Sequence, residues 1–131
     1  MGSQNLARSV LLALTLASAL AAQDQDKKKP AWETDKIHGP SRMLRMTVEE
    51  GTWMNLDVSP DGKTIAFDLL GDIYALPIGG GKAKILVRGP AFTVQPRFSR
   101  DGKHIAFTSD AGGGDNLWIM NADGSDRRQV T

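Results

Sequence analysis

From Met43 onward the chain falls into short β-type runs separated by Gly, Pro, Asp and Asn, the pattern of strands joined by tight turns. Ahead of it the pattern differs. Residues 23–41 hold no apolar period, and Pro30, Gly39 and Pro40 interrupt any regular element, so residues 22–41 read as a linker. Ser9–Leu20 carries no charge, follows Arg8, and runs into the small-x-small triplet Ala19-Leu20-Ala21. That order predicts a signal peptide over residues 1–21, cut before Ala22, and export to the periplasm or beyond. The apolar run is shorter than the roughly 20 residues a membrane span needs, which argues against an uncleaved anchor.

Within the β-patterned part the chain repeats itself. Ser59-Pro60-Asp61-Gly62-Lys63-Thr64-Ile65-Ala66-Phe67 returns 40 positions later as Ser99-Arg100-Asp101-Gly102-Lys103-His104-Ile105-Ala106-Phe107. Asp72-Ile73-Tyr74 returns as Asn116-Leu117-Trp118 at an offset of 44, the additional residues falling in the Gly-rich stretch Asp110–Asp115. Each copy predicts four strands: Leu56–Val58, Thr64–Phe67, Ile73–Leu76 and Lys84–Val87, then Pro96–Phe98, His104–Thr108, Leu117–Met120 and Arg128–Thr131. Four short strands recurring at this period are the signature of a propeller blade. The fold class is therefore all-β, two four-stranded blades (about 53–88 and 92–131) of an incomplete β-propeller. Two blades are fewer than the usual four to eight, so the remainder of the propeller is an expected partner. Leu44–Val48 also alternates, and at the 40-residue step it aligns with Lys84–Arg88; a lone fourth strand is expected about 44–48, within a propeller segment spanning 42–131.

Alternation places Ile65 and Phe67 on one face of their strand and Ala66 on the other, with Ile105, Phe107 and Ala106 repeating the arrangement. Phe67 and Phe107 are expected core positions, and Tyr74 and Trp118 expected inter-blade packing.

Composition narrows the function. The 16 Lys and Arg nearly balance 15 Asp and Glu, and loss of residues 1–21 removes Arg8 and leaves no net charge. Without a basic stripe neither nucleic acid nor, after signal cleavage, a membrane surface is an expected partner. Lys27–Lys29 sits among acids in the linker and reads as solvated chain. The absence of cysteine excludes disulfides, thiol catalysis and thiolate metal sites.

Candidate chemistry is sparse. His38 lies in the linker and His104 follows a turn; they do not form a His-x-His pair, and neither is expected to bind metal or act as a base. Asp110 and Asp115 flank three glycines but lack the alternating ligands of a calcium loop. Gly79-Gly80-Gly81-Lys82 lacks the spacing of a phosphate-binding loop and has no helix behind it, so it reads as a turn. No catalytic, cofactor-binding or metal-binding residue is expected in this segment.

The Ser-Pro-Asp-Gly-Lys-x-Ile-Ala-Phe repeat, with Asn116-Leu117-Trp118-Ile119-Met120-Asn121-Ala122-Asp123-Gly124, resembles the TolB-like propeller repeat of bacterial envelope proteins over residues 39–131. Glu50–Met54, Asp57–Gly62 and Phe67–Tyr74 also look like the start of large exported proteins in which such a propeller precedes a metal-dependent amidohydrolase barrel. That likeness implies a non-catalytic scaffold or access module, a C-terminal hydrolase domain acting on C–N bonds, and a divalent metal confined to that domain. Two other families share the propeller. TolB itself is a periplasmic protein-interaction component, although its additional α/β domain between signal peptide and propeller has no room here. Prolyl oligopeptidase-type serine peptidases carry a propeller beside a hydrolase domain. Envelope proteins are partners under the TolB reading.

Overall fold

Eight strands follow one another along the chain, and no helix occurs among the described residues. The structure is a computed structural model describing Glu33, Thr34 and residues 36–131. The expected signal peptide, its cleavage point and Lys27–Lys29 lie outside the described residues. Blade 1 comprises β1 (Leu56–Val58), β2 (Thr64–Leu69), β3 (Asp72–Pro77) and β4 (Lys84–Val87); blade 2 comprises β5 (Thr93–Phe98), β6 (His104–Ser109), β7 (Asn116–Asn121) and β8 (Arg128–Gln129). Each blade is one antiparallel sheet with its strands in chain order. All eight expected strands are present. β5 begins earlier than expected, at Thr93, and includes Pro96. Proline is tolerated there because β5 is an edge strand and its pairing with β6 breaks at a bulge between Val94 and Arg97.

The repeated turn shows why its sequence recurs. Gly62 N–H donates to the Ser59 carbonyl (2.8 Å) with Gly62 at φ +70°, a conformation that glycine adopts without steric cost. Ser59 Oγ donates to Asp61 Oδ1 (2.6 Å) and accepts from Thr64 N–H (2.9 Å), while Lys63 N–H donates to Asp61 Oδ1 (3.1 Å). Ser99, Asp101, Lys103 and His104 repeat this network at the same distances. Hydrogen bonds from the Ser59 and Ser99 hydroxyls, then from the Lys63 and Lys103 amides, hold the Asp61 and Asp101 carboxyls below the usual range. These acids are thereby occupied in shaping turns.

Register assigns the faces. Leu56, Val58, Ile65, Phe67, Tyr74, Leu76 and Ile85 are cross-strand partners on one face of blade 1; Ala66, Ala75, Ile73 and Val87 lie on the other. In blade 2 the counterpart of the first face carries Phe98, Ile105, Phe107, Trp118 and Met120. The core forms where the second face of blade 1 meets the first face of blade 2: Ala66, Ile73, Leu86, Val87, Ile105, Phe107 and Met120 are buried, with Ala75, Phe98 and Trp118 packed against them. Ala66 is fully buried, and its small side chain lets the blades approach, as the alternation predicted.

Repeat symmetry does not extend to burial. Phe107 is 3% exposed, whereas Phe67 is only half-buried, because nothing described covers its face. Residues 44–48 are not a strand, and Leu44, Met46 and Val48 are exposed. A fourth strand needs the third strand of its own blade to hydrogen-bond, and no such strand is present among the described residues.

The β7–β8 turn enters the seam. A Cβ on Gly124 (φ +92°) would lie 3.0 Å from the Leu86 carbonyl oxygen, whereas one on its repeat counterpart Gly80 (φ +87°) would meet nothing within 4 Å. Both positions carry the same conformational cost for alanine. Gly124→Ala should therefore destabilise by about 1–2 kcal/mol more than Gly80→Ala, the range for local overpacking, as read by chemical denaturation. Equal losses would mean that blade 1 does not press on this turn.

Candidate interaction surface

Polar groups as well as apolar contact join the blades. Asp68 is 3% exposed yet fully engaged. Its Oδ1 accepts from Asn55 N–H (3.0 Å), and its Oδ2 accepts from Asn55 Nδ2 (2.9 Å) and, across the seam, from Gln95 N–H (2.7 Å). Gln95 sits at the β5 bulge with φ +58°, a conformation costing a non-glycine residue about 1 kcal/mol that the charge-assisted bond offsets. Asp57 Oδ2 accepts from Phe98 N–H (2.8 Å), Arg97 Nη1 donates to the Leu56 carbonyl (2.8 Å), and Lys84 Nζ donates to the Asp123 carbonyl (3.0 Å). Sequence reasoning missed Asp68 and Gln95. The available signal was a carboxylate on the same face as Ala66, where alternation calls for a buried residue.

Beyond the seam, none of the described residues covers the outer face of either blade. On blade 1 Leu56 is 55% exposed, Val58 40% and Ile85 39%, around half-buried Ile65, Phe67, Tyr74 and Leu76. Phe67 and Tyr74 stack with centroids 5.4 Å apart, and the Tyr74 hydroxyl reaches Asp72 Oδ2 at 3.4 Å. On blade 2 the open face carries Val94, Ala106, Thr108, Ile119 and the exposed Leu117.

The residues weighed for chemistry are engaged elsewhere. The His38 ring is 2.8 Å from the Glu33 carbonyl, and His104 begins β6, opposite Asn121. Asp110 Oδ1 accepts from Phe92 N–H (2.8 Å), its carbonyl accepts from Thr34 Oγ1 and from Gly113 N–H, so the acid fastens a loop. Gly80 N–H closes a turn on the Pro77 carbonyl (2.9 Å), and a strand follows. Among the described residues no three His, Asp or Glu side chains gather in a way that could hold a metal ion. Trp118 stacks on Phe107 at 6.5 Å in the seam, while Tyr74, its counterpart, faces outward. A recess of about 390 Å³ lies beside Trp118. Its Thr93 and Ser109 hydroxyls bond each other (3.1 Å) and its Arg88 lies 3.4 Å from Asp72, while Arg127 also lines it and Trp118 Nε1 is buried without a hydrogen-bond partner.

No family model matches the chain. The chain is 38% identical over 58 residues to the Tol-Pal system protein TolB of Bordetella pertussis, covering 44% of this chain and 13% of that protein. It is 34% identical over 77 residues to an uncharacterised protein of Agrobacterium fabrum, covering 56% and 26%. Among solved structures, a putative TolB from Agrobacterium tumefaciens superposes with a TM-score of 0.56 at 30% identity, over 63% of this chain and 31% of that one. TolB from Acinetobacter baumannii gives 0.54 at 30% identity, over 67% and 23%. The chain thus spans less than a third of the length of each of these proteins. It contains a TolB-like β-propeller region, and its two four-stranded sheets resemble TolB blades. The named homologues are TolB proteins rather than amidohydrolases.

Proposed function

We propose that this chain is a non-catalytic propeller segment that works by protein–protein contact in the periplasm, as the Tol-Pal name of its relatives suggests. The joint likeness of sequence and blade fold to TolB carries the reading. The engagement of its acids in turns and seams supports it. A periplasmic location also fits the signal peptide read over residues 1–21.

Calorimetric titration of the purified chain with soluble Tol-Pal components should give saturable binding. Amide, ester and peptide substrates should turn over only at background, with His104→Ala making no difference. No binding to any such component, together with hydrolysis lost on His104→Ala, would replace this reading with that of a hydrolase.

A further inference from the structure

We infer that the recess beside Trp118 is a binding site for a carboxylate carried on a small apolar group. Both sides of the recess come from the seam. Val87 and Arg88, with the segment 89–91 that links the blades, supply one side; the Phe107 and Trp118 face of blade 2 supplies the other. The recess therefore depends on how the two blades pack together, and on neither outer face. Its volume of about 390 Å³ lies at the small end of ligand pockets, which suits a guest of a few carbon atoms.

The polar side chains of its wall are donors short of acceptors. Thr93 and Ser109, each 2% exposed, share one hydrogen bond between their hydroxyls, and Ser109 Oγ also accepts from Ala111 N–H (3.3 Å). Each hydroxyl carries one proton, so one of the two protons has no acceptor among the described residues. Trp118 Nε1, buried in the wall, has none either. Asp72 offsets the charge of Arg88. Arg127 is exposed and takes part in no ion pair among the described residues. No acidic or amide side chain lines the recess.

A guest that fits must bring oxygens that accept, and one negative charge to meet the guanidinium of Arg127. A carboxylate does both, and it matches the paired N–H groups of an arginine side by side. Because Arg127 is exposed, a carboxylate beside it keeps part of its hydration and avoids the full cost of burial. Val87, Pro90, Phe107 and Trp118 offer the remainder of the guest an apolar wall, from which it displaces water. Inorganic phosphate has no apolar part to place there. A free apolar acid and the C-terminal residue of a polypeptide present the same chemistry, a carboxylate beside a short apolar chain.

Titration of the isotope-labelled full chain, followed by NMR, tests this. The readout is the Trp118 indole N–H resonance, assigned by its loss in Trp118→Phe. The probes are isovalerate, its neutral amide, N-acetylleucine and inorganic phosphate. Isovalerate should shift the resonance saturably in the millimolar range, and the amide should bind about tenfold more weakly, the worth of one charge-assisted hydrogen bond. Phosphate should leave the resonance in place. Arg127→Gln, at an exposed position, should weaken isovalerate about tenfold and leave the amide unchanged, which shows the recess intact. Arg128→Gln, outside the recess, should alter neither. Tighter binding of N-acetylleucine than of isovalerate assigns the site to a polypeptide C-terminus, and equal or weaker binding to a free apolar acid. No saturable shift, an amide or phosphate that binds as well as isovalerate, or indifference of isovalerate to Arg127→Gln overturns the proposal. Tol-Pal components are titrated separately, so their binding can stand or fall independently of this result.

Discussion

Phe107→Ala should destabilise the chain by about 3–5 kcal/mol, the usual cost of emptying a buried phenylalanine site, whereas Phe67→Ala should cost only about 1–2 kcal/mol, the share left to a half-buried ring. The two residues occupy the same position in the repeat, and both stack on the aromatic residue across from them, at 6.5 Å for Phe107 and 5.4 Å for Phe67. They differ in what lies over them. Phe107 belongs to the buried cluster that also holds Ala66, Ile73 and Val87 of blade 1, so its removal leaves a cavity in the seam. None of the described residues covers Phe67, which is half-buried, so its site stays partly wetted whether or not the ring is present. Chemical denaturation of the two variants reads both values. Equal costs would mean that the face of Phe67 is covered in solution.

The same comparison marks the limit of what the sequence discloses. Strand positions were legible because the turn chemistry of Ser59–Gly62 and Ser99–Gly102 is local: each hydroxyl, carboxylate and glycine acts within six residues. Burial was not legible, because a repeat states what each blade contains and is silent on which blade has a neighbour. Phe67 and Phe107 therefore read alike and differ in the fold. Leu44–Val48 shows the complementary case. Its alternation is compatible with a strand, but a ladder needs a second set of backbone groups, and none of the described residues supplies them. The inter-blade bridges were not legible, since Asp68 has no like residue one repeat on, where Thr108 stands.

Asp68→Asn should cost about 2–4 kcal/mol, well above Asp57→Asn at about 1 kcal/mol. The carboxylate of Asp68 receives three donors, from Asn55 N–H, Asn55 Nδ2 and Gln95 N–H, with 3% of the residue exposed. An asparagine supplies one oxygen and one NH₂ group, so in either flip a donor faces a donor. If the oxygen keeps Asn55 N–H, the amide nitrogen opposes both Asn55 Nδ2 and Gln95 N–H; if it keeps those two, it opposes Asn55 N–H. Burial removes the water that would otherwise repair the loss, and an orphaned buried donor costs about 1–3 kcal/mol. Asp57 makes two such bonds, to Val58 N–H (3.0 Å) and Phe98 N–H (2.8 Å), but it is only half-buried, and solvent can substitute for either. The loss at Asp68 should also reach Gln95. Without its acceptor the left-handed backbone there keeps its strain and loses its compensation, so amide hydrogen exchange at Gln95 should accelerate in Asp68→Asn more than at Phe98. Equal destabilisation by the two substitutions, or unchanged exchange at Gln95, would show that the seam is held by apolar packing and that Asp68 merely fills space.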